Sequence, residues 1–246
     1  MLTVRQGMLT GLITQVALLV AIAGTVGLGV AGGLAGLAYG VAVVGLLARA
    51  LRRSGAAVLG PADLVTSARS VLVGGIAALV VQSFVAPVPV GALTALAVVA
   101  LVLDAVDGRV ARYTRTVSAV GARFDMEVDS VLVLLLSVYV ARSLGVWVLA
   151  IGSVRYLHWI AGRAWPWLRG PVPPRYWCKV VAAVQGVVLT GVAAGVLPGV
   201  VAVLALGVVA VLLAESFGRE AWRLWRSDRL GSDEEVAPSE VGSVRA

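Results

Sequence analysis

The stretch VPVGALTALAVVALVLDAVDGRVARYTRTVSAVGARFDMEVD, residues 88–129, decides how the chain must be read. It runs without a charge from Val88 to Leu103 and then sets Asp104, Asp107, Asp125 and Asp129 close behind that apolar run. A carboxylate at the centre of a membrane helix costs on the order of 2.5–3.5 kcal/mol by insertion scales. Four of them ask for about 10 kcal/mol of compensation. A divalent metal site is the natural source.

The surrounding composition makes membrane depth the right frame. The 246 residues are 60% hydrophobic and only 13% charged, with a mean hydropathy of +0.97. A soluble domain carries about 25% charged residues. The apolar runs have the length of roughly 17–25 residues that crosses a hydrocarbon core of about 30 Å. Helices satisfy their backbone internally in lipid, so the expected fold is an all-α integral membrane bundle with no strands.

Hydropathy predicts about eight transmembrane helices, near 8–28, 31–49, 64–84, 88–110, 120–141, 145–164, 177–196 and 198–218. The uncharged region 8–48 reads as a hairpin turning near Gly27–Gly33. Its apolar run is too long for a signal peptide and lacks a convincing cleavage site. Three segments follow: a transmembrane hairpin and basic linker at 1–58, a six-helix membrane domain at 59–226, and a disordered polar tail at 227–246 carrying Asp233, Glu234 and Glu235.

An even span count puts both termini on one side. If that side is cytoplasmic, all the basic residues except Arg142 and Arg155 fall in inner segments, as the positive-inside rule requires. The net charge of +7 therefore reflects orientation and anionic lipid contact, and nucleic acid is not an expected partner. The expected location is a bacterial cell membrane with termini and site facing the cytoplasm. Cys178 is the only cysteine, which excludes an intramolecular disulfide and a Cys-based zinc site. Gly32, Gly36 and Gly40, and again Gly191, Gly195 and Gly199, recur at four-residue spacing, a pattern suited to close helix packing.

Helical geometry organises the aspartates. Asp104, Asp107, Gly108, Ala111 and Arg112 stand at i, i+3, i+4, i+7 and i+8, one face of a helix. Gly121, Asp125 and Asp129 stand at i, i+4 and i+8 on the next. Two facing helices would bring four carboxylates together, a donor set suited to Mg²⁺ or Mn²⁺. Gly108 and Ala111 leave room beside the metal, and the planar fork of Arg112 suits a phosphate. The 16 residues from Val88 to Asp104 span about 24 Å of helix, which places the site just inside the cytoplasmic boundary.

The combined pattern D-x2-D-G-x2-A-R-x8-G-x3-D-x3-D has a chance probability on the order of 10⁻¹⁰ per starting position. At every fixed position it resembles the signature of the CDP-alcohol phosphatidyltransferase family. Pro61-Ala62-Asp63-Leu64-Val65-Thr66-Ser67-Ala68-Arg69 looks like the segment that opens the family's first core helix, where members often carry Asn in place of Asp63. The resemblance covers about residues 60–218 and implies a six-helix core, leaving the first two spans outside it.

That resemblance implies an enzyme transferring a substituted phosphoryl group from a CDP-alcohol, expected to be CDP-diacylglycerol, to a hydroxyl acceptor with release of CMP. It implies two divalent metals on Asp104, Asp107, Asp125 and Asp129, with Asp129 also the general base. Gly108, Ala111, Arg112 and Thr66 would line the nucleotide pocket. A homodimer is the implied assembly, and membrane lipids are the surrounding partners. Two other classes fit buried carboxylates: a transporter or ion pathway, and a membrane prenyltransferase. The first leaves the D-G-x2-A-R element unexplained, and the second calls for two aspartate-rich segments rather than one.

Other polar residues have simpler uses. Glu127 lies about 200° around the helix from the aspartate face, which suits packing against another polar helix. Arg155, inside the sixth span, is either an acceptor-binding residue for an anionic alcohol or a structural partner of the aspartates or Glu127. His158 reads as a hydrogen-bonded helix residue. Trp159, Trp165, Trp167 and Trp177 read as an interfacial belt. The acceptor alcohol is not written in these residues.

Overall fold

The computed structural model describes residues 4–54, 61–114, 119–165, 167 and 176–235. Among them the chain forms eight α-helices and no strands: α1 (Val4–Val26), α2 (Val30–Ser54), α3 (Pro61–Gln82), α4 (Val90–Thr114), α5 (Ala119–Leu144), α6 (Val148–Ala164), α7 (Tyr176–Ala193) and α8 (Gly199–Glu235). Each corresponds to one expected apolar segment.

Four of the helices, among the described residues, are long and apolar enough to cross a membrane: Gln6–Val26, Val30–Arg52, Val65–Gln82 and Gly199–Arg226. Shorter apolar stretches lie in α4 (Val90–Val106) and α7 (Val180–Ala193). The eight-helix, all-α arrangement is the one expected, and the four helices differ from the rest by length and composition alone. Arg123, Asp125, Glu127 and Asp129 fall in the first half of α5, and Arg155, His158 and Arg163 fall in the 17 residues of α6. α5 and α6, which carry these charges, are not among the four.

Exposed apolar stripes mark the lipid-facing side. Leu9, Ile13, Val16 and Val20 on α1, and Val200, Leu204, Val208 and Val211 on α8, recur at three- or four-residue intervals and are all exposed. Contiguous apolar surface of this kind is incompatible with water on all sides. The protein is an integral membrane protein.

Helix α3 is the hub, packed against α1, α2, α4 and α5. Val73, Ile76 and Leu79 are completely buried with Leu93 and Ala97 of α4 and Leu132 and Leu136 of α5. α7 packs against α4, α5 and α8, and α6 against α5 and α8.

The hairpin docks on α3 through glycine. A Cβ on Gly32 would fall 2.8 Å from the Ala78 carbonyl oxygen, and one on Gly36 would fall 3.0 Å from that of Gly74. Small residues let two backbones approach this closely. The α1–α2 turn lies where expected, with Gly27 at φ +78, a conformation open to glycine. Gln82 Oε1, at the far end of α3, accepts a hydrogen bond from the Gly29 amide at 3.0 Å and ties the turn down.

The second glycine series behaves differently. Gly191 has nothing within 4 Å of a notional Cβ, Gly195 sits in the α7–α8 turn at φ +68, and Gly199 opens α8. Four-residue spacing places residues on one face only inside a helix, and this series crosses a helix end. α8 also continues as helix to Glu235, past the Arg226 boundary assigned to the six-helix domain. Glu220, Ala221, Arg223, Leu224 and Arg226 are strong helix formers, and Glu215 pairs with Arg219 one turn apart. Residues 236–246 of the expected tail lie outside the described residues.

Candidate functional site

The hub helix brings a cation into the aspartate cluster. Arg69 stands two turns into α3, and its side chain is 1% exposed. Its Nη1 donates to Asp104 Oδ1 of α4. Its Nη2 donates to Asp125 Oδ1 of α5 and, at 3.1 Å, to the Asp125 carbonyl. Asp129 Oδ1, one turn further along α5, lies 3.2 Å from the same Nη2.

The carboxylates themselves are accessible. The side chains of Asp104, Asp125 and Asp129 are 40%, 38% and 40% exposed, so they form the open wall of a site whose floor is Arg69. Each offers one oxygen, and these oxygens all lie within 4.8 Å of one another. One guanidinium against three carboxylates leaves a formal excess of two negative charges at this point. Hard oxygen donors at that spacing, with negative charge in surplus, fit a divalent cation such as Mg²⁺ or Mn²⁺.

Three of the four residues expected to hold metal thus lie together, Asp104 from α4 and Asp125 and Asp129 from one face of α5. Asp107 follows Asp104 by one turn within α4, and Gly108, Ala111 and Arg112 occupy the next turns; the side chains of all four lie outside the described residues. Thr66 is buried in α3, one turn before Arg69.

Glu127 faces away from the cluster, as its angular position required. Its Oε1 accepts a hydrogen bond from Arg155 Nη2 of α6 at 2.7 Å, and both side chains are substantially exposed. Of the partners considered for Arg155, Glu127 is the one it meets. Close contact between α5 and α6 makes this reach possible: a Cβ on Gly152 would lie 2.8 Å from Leu134 Cα. His158 packs on the Phe217 ring at 5.5 Å between centroids, with Glu220 Oε1 3.8 Å from its Nε2. Arg163 lies 3.7 Å over the Trp159 ring.

Arg69 is the functional residue that the sequence reading missed, because it was counted among the basic residues that orient the chain. The available signal was its position inside an apolar span, where an arginine implies a partner.

A family model for CDP-alcohol phosphatidyltransferase matches residues 60–214, which run from the start of α3 into α8 and make up well over half the chain. The chain belongs to the CDP-alcohol phosphatidyltransferase family. Comparison with curated proteins and with solved structures returned no match. The matched region contains Arg69 and all four aspartates, while α1 and α2 lie outside it. Membership makes the protein a transferase of the CDP-alcohol type and weighs against the transporter and prenyltransferase alternatives.

Proposed function

We propose that the protein is a membrane enzyme of phospholipid synthesis that transfers a phosphatidyl group from CDP-diacylglycerol to a hydroxyl acceptor, releasing CMP. The observation that carries this is the cluster of Asp104, Asp125 and Asp129, open on one side and backed by a buried arginine, inside a matched family region.

Asp104, Asp107, Asp125 and Asp129 would hold two divalent ions, Mg²⁺ or Mn²⁺, which supply Lewis-acid polarisation of the diphosphate. The chain's own residues do the rest. Gly108 and Ala111 would leave space for the nucleotide, Thr66, buried in α3, would border it, and Arg112 would pair with a phosphate oxygen. Asp129 accepts the acceptor's hydroxyl proton as the acceptor oxygen bonds to the lipid-side phosphorus. The bond from that phosphorus to the bridging oxygen breaks, and CMP departs with that oxygen. Arg155 is the acceptor-side cation, and an anionic alcohol would have to share it with Glu127.

The site would face the cytoplasm of a bacterial cell, where the nucleotide is soluble and the lipid enters sideways. A homodimer is the working assembly. The test is an acceptor panel offered with CDP-diacylglycerol to membranes containing the protein, read by lipid mass spectrometry and CMP release. No lipid product and no CMP with any acceptor, in the presence of Mg²⁺ or Mn²⁺, would sink the proposal.

A further inference from the structure

Arg69 meets the carboxylates on the oxygens a metal would also seek. Its two terminal nitrogens reach Asp104 on α4 and Asp125 and Asp129 on successive turns of α5. It cannot swing aside cheaply. The side chain is enclosed, its neighbours Thr66 and Ser70 on α3 are buried, and its second nitrogen is also bonded to the Asp125 backbone carbonyl. A buried charge that leaves its partners is left uncompensated.

Two consequences follow from charge alone. Without metal, three clustered carboxylates repel one another, and a central guanidinium offsets that repulsion. A divalent ion held by the same carboxylates would share them with a fixed positive charge, and like charges brought that close oppose each other strongly where water is scarce. An anionic diphosphate arriving beside both cations relieves that opposition.

We propose that Arg69 is the resident counter-cation of the site: it holds Asp104, Asp125 and Asp129 together in the metal-free protein and lowers their affinity for metal alone. Metal and anionic nucleotide are thereby made to bind together better than separately. The inference rests on the metal-dependent function proposed above and concerns a positioning residue, not one that touches the reacting atoms.

The experiment compares purified wild type, Arg69→Met and Arg69→Lys for Mn²⁺ affinity, by electron paramagnetic resonance of free Mn²⁺, and for thermal midpoint in EDTA or Mn²⁺. The expected result is that Arg69→Met loses about 5 °C or more in EDTA, regains it in Mn²⁺, and binds Mn²⁺ about tenfold more tightly. Arg69→Lys, which keeps the charge, stays near wild type in Mn²⁺ affinity. Adding CMP tightens Mn²⁺ binding in wild type and does so less in Arg69→Met.

Equal or weaker Mn²⁺ binding by a folded Arg69→Met protein overturns the proposal, because a purely geometric support would act in that direction. If Arg69→Met is recovered only when Mn²⁺ is present, the ion is replacing the guanidinium and the proposal stands. If it fails to fold in saturating Mn²⁺ while Arg69→Lys folds, the proposal falls. A wild type that binds no Mn²⁺ refutes the metal reading itself, and the EDTA comparison then decides the metal-free role of Arg69 by itself.

Discussion

Arg155 of α6 reaches Glu127 of α5 at 2.7 Å, one helix face away from the aspartates that flank Glu127 in sequence. Helix α5 thus presents two separate acidic surfaces, one to Arg69 and one to Arg155. Arg155 is half-buried and Glu127 exposed, so the pair remains within reach of a ligand.

Arg155→Ala is therefore expected to raise the KM for an anionic acceptor about tenfold or more while leaving Mn²⁺ binding close to wild type. Steady-state kinetics across acceptor concentrations checks this. Unchanged acceptor KM in a folded Arg155→Ala enzyme would assign the pair to helix packing.

Asp129 carries the proton in the proposed reaction, and general-base removal costs typically 10²–10⁴-fold. Asp129→Asn should reduce CMP release within that range while the helix bundle persists, as circular dichroism would report. Activity within a factor of a few of wild type would move the base elsewhere.

Chelation should abolish transfer, with recovery on adding Mg²⁺ or Mn²⁺ but not monovalent salt. Three carboxylate oxygens within 4.8 Å suit a small hard cation. Activity that persists through exhaustive EDTA treatment would contradict the assignment of Asp104 and Asp125 as metal ligands.

The two glycine series should respond oppositely. In Gly32→Val the new Cβ would meet the Ala78 carbonyl at 2.8 Å, a backbone atom that cannot step aside, and overpacking costs typically 1–3 kcal/mol. In Gly191→Ala the Cβ meets nothing within 4 Å, and the gain in helix propensity is about 1 kcal/mol. Thermal unfolding in detergent separates them: a lower midpoint for the first, an equal or higher one for the second. A marked fall for Gly191→Ala, accompanied by loss of a dimer on size exclusion, would instead place a subunit contact there.

Much of this architecture was legible because hydropathy and helical period are strong, local signals. Asp125 and Asp129 share a face of α5 because i, i+4 spacing leaves a helix little choice, and Asp104 of α4 joins them because both helices pack on α3. Glu127 was separable from them by the same angle. Arg69 was not, since its significance depends on three residues 35 or more positions away that only tertiary packing brings near. Gly191, Gly195 and Gly199 make no close backbone contact within the chain, and their spacing is silent about where the helix stops. The course of α8 beyond Arg226 rests on propensity and one Glu215–Arg219 pair, weaker cues than apolar runs.

The docking of α1 and α2 on α3 has a consequence for traffic. α3 carries the floor of the site, and Gly32 and Gly36 of the hairpin close on its far half, against Ala78 and Gly74, down to backbone contact. Beside Ser67 and Ser70, in the half that carries Arg69, the same helices part around a cavity lined by Gly11, Gln15, Gly40, Val44 and Phe124. The hairpin is thus a clasp fastened at one end of α3 and standing off at the other, so any molecule entering between them would do so at the Arg69 end.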